Sequence, residues 1–103
     1  MRTAETHVDA PIRFTFLTNH AHVILLIARN ADIRMRQMAM AVGITERAVQ
    51  RIVEELAESG YVVINRVGRR NQYQVVPQMP LRHSVEAQST IGDLIQLING
   101  SGK

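Results

Sequence analysis

An α+β domain of three helices, a two-stranded hairpin and a closing fourth helix is what this 103-residue sequence predicts, on three observations. Apolar residues recur at helical spacing in three consecutive segments ending near Leu56. The period changes to about two between Tyr61 and Val76, and helical spacing returns between Thr90 and Asn99. The length is that of one ordinary domain, so a single core is expected.

Residues 1–17 mix small, polar and charged types around Pro11 and read as an arm or a short edge strand. Thr18 or Asn19 then caps a first helix to about Arg29, with Val23, Ile24 and Ile27 on one face and Leu26 beside it. Asn30-Ala31-Asp32 carries turn formers, and Asp32 is expected to cap a second helix. In that helix Met35, Met38, Ala39 and Val42 recur at i, i+3, i+4 and i+7, and Gly43 ends it. The methionines Met35, Met38 and Met40 are expected as adaptable core filling. Thr45 opens a third helix in which Val49, Ile52, Val53 and Leu56 repeat the same spacing until Ser59-Gly60.

Tyr61 to Val67 and Gln72 to Val76 read as strands, with Gly68-Arg69-Arg70-Asn71 as the hairpin tip and Gly68 and Asn71 supplying its positive φ angles. Tyr61 and Tyr73 are expected to point inward, against the helices. Pro77 and Pro80 bracket an extended link. The last helix then places Ile91, Leu94, Ile95 and Ile98 on one stripe, with Leu97 adjacent. The chain thus divides into an arm at 1–17, a helix-and-hairpin domain at 18–77, and a linker with a C-terminal helix at 78–103.

Composition narrows the function. The chain has no cysteine, which excludes disulfides, thiolate metal sites and cysteine nucleophiles. The longest run of large apolar residues, Val23 to Ile27, is far short of the roughly 20 residues that cross a bilayer, so a cytoplasmic protein without membrane contact is expected. Eleven of its 12 basic residues are arginine, the planar forked donor suited to phosphates and guanine edges, and the net charge is +3. A polyanionic partner is the first expectation. No Ser/His/Asp set, paired carboxylates, phosphate-cradling glycine loop or metal cluster stands out, so neither an enzyme nor a cofactor is expected. His20 and His22, two apart, point to different faces of a helix and make a poor metal pair.

Ala39, Gly43 and Val49 stand at offsets of zero, four and ten. Two helices meeting through a tight turn need a small residue at the close approach, a glycine free to take positive φ, and an apolar residue pointing back into the junction. Three helices, that junction and an arginine-tipped hairpin are the order of a winged helix-turn-helix domain, here with an additional C-terminal helix. The run Val42-Gly-Ile-Thr-Glu-Arg-Ala-Val-Gln-Arg-Ile-Val-Glu-Glu-Leu, followed by Gly60-Tyr-Val and Arg66-Val-Gly-Arg-Arg-Asn-Gln-Tyr, resembles small winged-helix transcriptional regulators of the MarR-like kind, from about Asn19 to Val76. The resemblance implies a third helix in the DNA major groove, a wing tip near the adjacent minor groove, and a two-fold dimer on a palindromic site.

The residues point the same way without the resemblance. With Val49, Ile52, Val53 and Leu56 facing the core, the first turns of the third helix expose Thr45, Glu46, Arg47, Gln50 and Arg51, while its far end is acidic with Glu54, Glu55 and Glu58. A helix docking by its positive N-terminal end on double-stranded DNA requires that polarity. The bland alternative is that Arg51 pairs with Glu54 or Glu55 on a solvated face. In the wing, Arg66, Arg69, Arg70, Asn71 and Gln72 are expected at a minor groove or its phosphates, since Tyr61 to Val76 carries three arginines and no acid. The stripe of Ile91, Leu94, Ile95 and Ile98 suits either a homodimer contact or a helix folded back over the first. The expected function is a sequence-specific DNA-binding regulator. A winged helix serving as a protein-interaction module in a larger complex is the alternative, and no residue specifies a small-molecule effector.

Overall fold

The computed structural model describes residues 11–100, so most of the expected N-terminal arm, residues 1–10, lies outside the described residues. The elements are α1 (Asn19–Arg29), α2 (Met35–Val42), α3 (Glu46–Glu58), β1 (Val62–Val67), β2 (Arg70–Val75) and α4 (Ile91–Asn99). Three of the four helices begin at a threonine whose hydroxyl accepts a first-turn N–H: Thr18 from Ala21, Thr45 from Ala48 and Thr90 from Asp93. The expected cap of the second helix is corrected. Arg34, not Asp32, precedes α2, and its backbone N–H donates to Gln37 Oε1 at 2.9 Å. Asp32 is drawn away by the hairpin, as described below.

The core joins one face of each helix to the root of the hairpin. Val23, Ile24 and Ile27 of α1, Met38 and Ala39 of α2, and Val49, Ile52, Val53 and Leu56 of α3 are buried with Tyr61, Val62, Tyr73 and Ile91. The helix-turn-helix junction has the expected composition: Ala39 is buried, Gly43 sits at φ 86°, and Val49 is fully enclosed. Of the three methionines, Met38 fills the core and Met35 packs beside it, but Met40 is 77% exposed on the opposite face of α2. α3 ends in a paired turn in which Gly60 N–H donates to Ala57 O and Tyr61 N–H to Leu56 O. That turn delivers the chain straight into β1.

The sheet is one antiparallel pair, with Val67 opposite Arg70. The connection is therefore the two residues Gly68 and Arg69, shorter than the expected four-residue tip, and β2 starts at Arg70 rather than Gln72. Gly68 at φ 65° takes the only positive φ in the hairpin, and Asn71 sits in the strand without one. This is the pattern of a two-residue turn with glycine first, whose twist matches the strands it joins.

After β2 the chain closes a loop: Leu81 N–H donates to Ser89 O, Ile91 N–H to Met79 O, and Pro80 bridges Thr90. α4 then lies on α1, where Asn99 accepts from Arg29 Nε at 2.9 Å and donates to Leu25 O at 3.1 Å. Its first turn is seated on Pro77, because Gly92 N–H donates to Pro77 O at 2.9 Å. A Cβ at position 92 would lie 2.8 Å from that oxygen and 2.9 Å from Pro77 Cβ, closer than side-chain atoms pack. Gly92→Ala is therefore expected to cost about 1 to 3 kcal/mol, as overpacking does. The measurement is the urea midpoint at constant slope; an unmoved midpoint would show that α4 does not rest on Pro77.

Candidate nucleic-acid interface

α3 brings the predicted reading residues together on one exposed surface. Thr45 is the cap residue, Glu46 and Arg47 open the helix, and Gln50 and Arg51 follow one turn later. All five are exposed, and Arg47 and Arg51, four apart, share a face. The amide of Gln50 donates to Glu54 Oε2 at 3.4 Å, a long bond on the surface. Neither arginine pairs with the acidic end of the helix. Glu55 is held instead by His20 of α1, with Nε2 and Oε1 2.6 Å apart, and this is the single side-chain ion pair among the described residues once His20 is protonated. The alternative in which Arg51 is neutralised by Glu54 or Glu55 is thus absent, and both guanidinium groups keep their donors.

The wing is less free than the sequence suggested. It is pinned along β2 to the turn between α1 and α2: Tyr73 N–H donates to Ala31 O at 2.9 Å, Arg70 Nη2 to Asp32 O at 3.1 Å, and Gln72 Nε2 to Asp32 Oδ1 at 3.0 Å. Asp32 is thus the anchor of the hairpin, and Arg70 and Gln72 lean inward rather than project from a tip. Arg66 and Asn71, opposite each other in the ladder, share a 3.4 Å contact. Arg69 alone of the predicted wing residues stands in the turn, and it makes no hydrogen bond to the described residues. The two tyrosines point inward: Tyr61 is buried and donates to Pro80 O, and Tyr73 is buried beside the α1–α2 turn.

The four residues offered for a dimer contact separate. Ile91 is 5% exposed in the core and unavailable to a partner, which corrects its assignment. Leu94 and Ile95 are half-buried against the same core, whereas Ile98 and its neighbour Leu97 remain exposed. The helix therefore folds back on α1 with one face and leaves a small apolar edge outside.

Sequence reading passed over Arg34. Its side chain lines a recess of about 410 Å³ between the start of α2 and the hairpin, together with Arg66, Arg69 and Arg70. Only contact across the fold brings these four together, since 32 positions separate Arg34 from Arg66. No group of three His, Asp or Glu side chains is arranged to hold a metal among the described residues, and no helix there is long and apolar enough to cross a membrane.

A sequence model described as the MarR family matches residues 15–70, more than half of the chain, and spans α1, α2, α3, β1 and the turn of the hairpin. No curated protein matches the chain.

Proposed function

Because this chain belongs to the MarR family of DNA-binding winged-helix transcription regulators, we propose that it reads a specific double-stranded DNA site with the first turns of α3 in the major groove. One observation carries this reading most: Arg47 and Arg51 share an exposed face of α3 without an acidic partner, while Glu54 and Glu55, two of the helix's four carboxylates, are engaged by Gln50 and His20. Arg47, Gln50 and Arg51 are the base-edge and phosphate contacts, Thr45 and Glu46 flank them at the positive end of the helix, and Arg69 meets the neighbouring minor groove from the turn of the wing. Arg66, Arg70, Asn71 and Gln72 support that turn from the rungs beside it. The protein acts in the cytoplasm without a cofactor.

Selection of bound sequences from random duplex DNA at a stated salt concentration tests the reading directly. A recovered consensus is the expected result, and a palindromic one marks two-fold binding. Recovery of random sequence would favour a protein-interaction module instead.

The same proposal includes a homodimer formed through the outer edge of α4, where Leu97 is 77% and Ile98 46% exposed. Leu97→Asp is expected to give a folded monomer in sedimentation, because the side chain contributes nothing to the core. A folded dimer in that variant would move the interface elsewhere.

A further inference from the structure

We propose that the recess between the start of α2 and the turn end of the wing is a phosphate-binding site, with Arg34, Arg66, Arg69 and Arg70 as its donors. The recess measures about 410 Å³ and opens to solvent, so a phosphate can enter with a chain attached on either side. Four arginines and one acidic residue, Asp32, are among its lining residues, and Asp32 Oδ1 accepts from the Gln72 amide. None of the four is in an ion pair among the described residues. Four positive charges gathered in one concavity against a single carboxylate repel one another, and an anion placed among them relieves that repulsion.

The donors are also partly oriented. Arg70 is tethered by one nitrogen to Asp32 O, and Arg66 is steadied by Asn71 Oδ1. Each tether uses one N–H of the five that a guanidinium carries, so both arginines keep most of their fork for a ligand. The guanidinium groups of Arg34 and Arg69 give no hydrogen bond to the described residues, Arg34 bonding Gln37 only through its backbone N–H. Forked donors held in place with unspent N–H groups match the tetrahedral oxygens of phosphate, where bidentate bonds are strongest. The phosphate comes either from the backbone of the duplex or from a free phosphorylated molecule. In the first case the site rests on the DNA reading above and adds Arg34 to α3 and the wing as an independent anchor.

The test uses the full chain and Arg34→Gln, an exposed position whose folding is checked by circular dichroism. In one arm, sodium pyrophosphate is titrated into the free protein against sodium chloride at matched ionic strength, following the arginine Nε–H signals by NMR. In the other, duplex affinity is measured across salt concentrations. If the duplex supplies the phosphate, Arg34→Gln lowers the slope of log affinity against log salt by about 1. If the source is a free molecule, pyrophosphate produces saturable shifts at Arg34 and Arg70 that Arg34→Gln removes, and the slope stays unchanged. Pyrophosphate shifts no larger than those from chloride, together with an unchanged slope in a variant that still binds duplex, would overturn the site and leave the DNA reading standing. Loss of all duplex binding by the unmodified protein would overturn the DNA reading instead, and the pyrophosphate arm alone would then decide the site.

Discussion

Arg47→Ala is expected to weaken binding to the preferred duplex by about 1 to 3 kcal/mol, roughly 5- to 150-fold, and to flatten the preference at one base pair while leaving weak non-specific binding in place. The expectation follows from where the side chain stands. Arg47 lies in the first turn of α3, beyond the cap that Thr45 makes with Ala48 N–H, so its guanidinium extends from the positive end of the helix. It has no acidic partner to release before it meets DNA, since the one side-chain ion pair among the described residues joins His20 to Glu55. A bidentate bond to a guanine edge is therefore gained without breaking an internal one. Stability is not involved, since the residue is exposed. A loss of affinity equal on all sequences would demote Arg47 to a phosphate contact, and no loss would remove it from the interface.

Much of this architecture is legible in the sequence because it is locally encoded. The threonines at 18, 45 and 90 are capping residues immediately ahead of apolar stripes, and each caps a helix in the structure. The junction of Ala39, Gly43 and Val49 is equally local, needing only a spacing. What failed is what distant residues decide. Asp32 has the local signature of a cap, yet Gln72 binds its side chain and Arg70 its carbonyl, so α2 begins two residues later than that cap would start it, with Gln37 closing on Arg34 N–H. The same contacts turn Arg70 and Gln72 from projecting wing residues into its fastening. Of the candidate interface, α3 is readable from period and charge alone. The arginine recess is not, because Arg34 meets the wing only after the α1–α2 turn packs on β2.

Ile91→Ala is expected to remove about 2 to 5 kcal/mol of folding stability, the cost of emptying a buried isoleucine site. For a domain of this size, whose total stability is on the order of 5 to 15 kcal/mol, that is a large share. Amphipathicity alone left α4 free to serve as a partner surface or as part of the core, since an apolar stripe shows that a face is covered but not by what. The structure separates the stripe along the helix. Ile91 joins the cluster of Ile24, Leu56 and Tyr61, and Gly92 and Asn99 fasten the two ends to Pro77 and to α1. Leu97 and Ile98 stay outside. The two ends should therefore respond to different measurements. Ile91→Ala lowers the denaturation midpoint at every protein concentration, because it acts within one chain. Leu97→Asp leaves the midpoint of the isolated monomer in place and removes only the part that rises with concentration, as linkage to association requires. If Ile91→Ala shifted the midpoint only at concentrations where the protein associates, α4 would be a partner surface along its whole length, and the core would close without it.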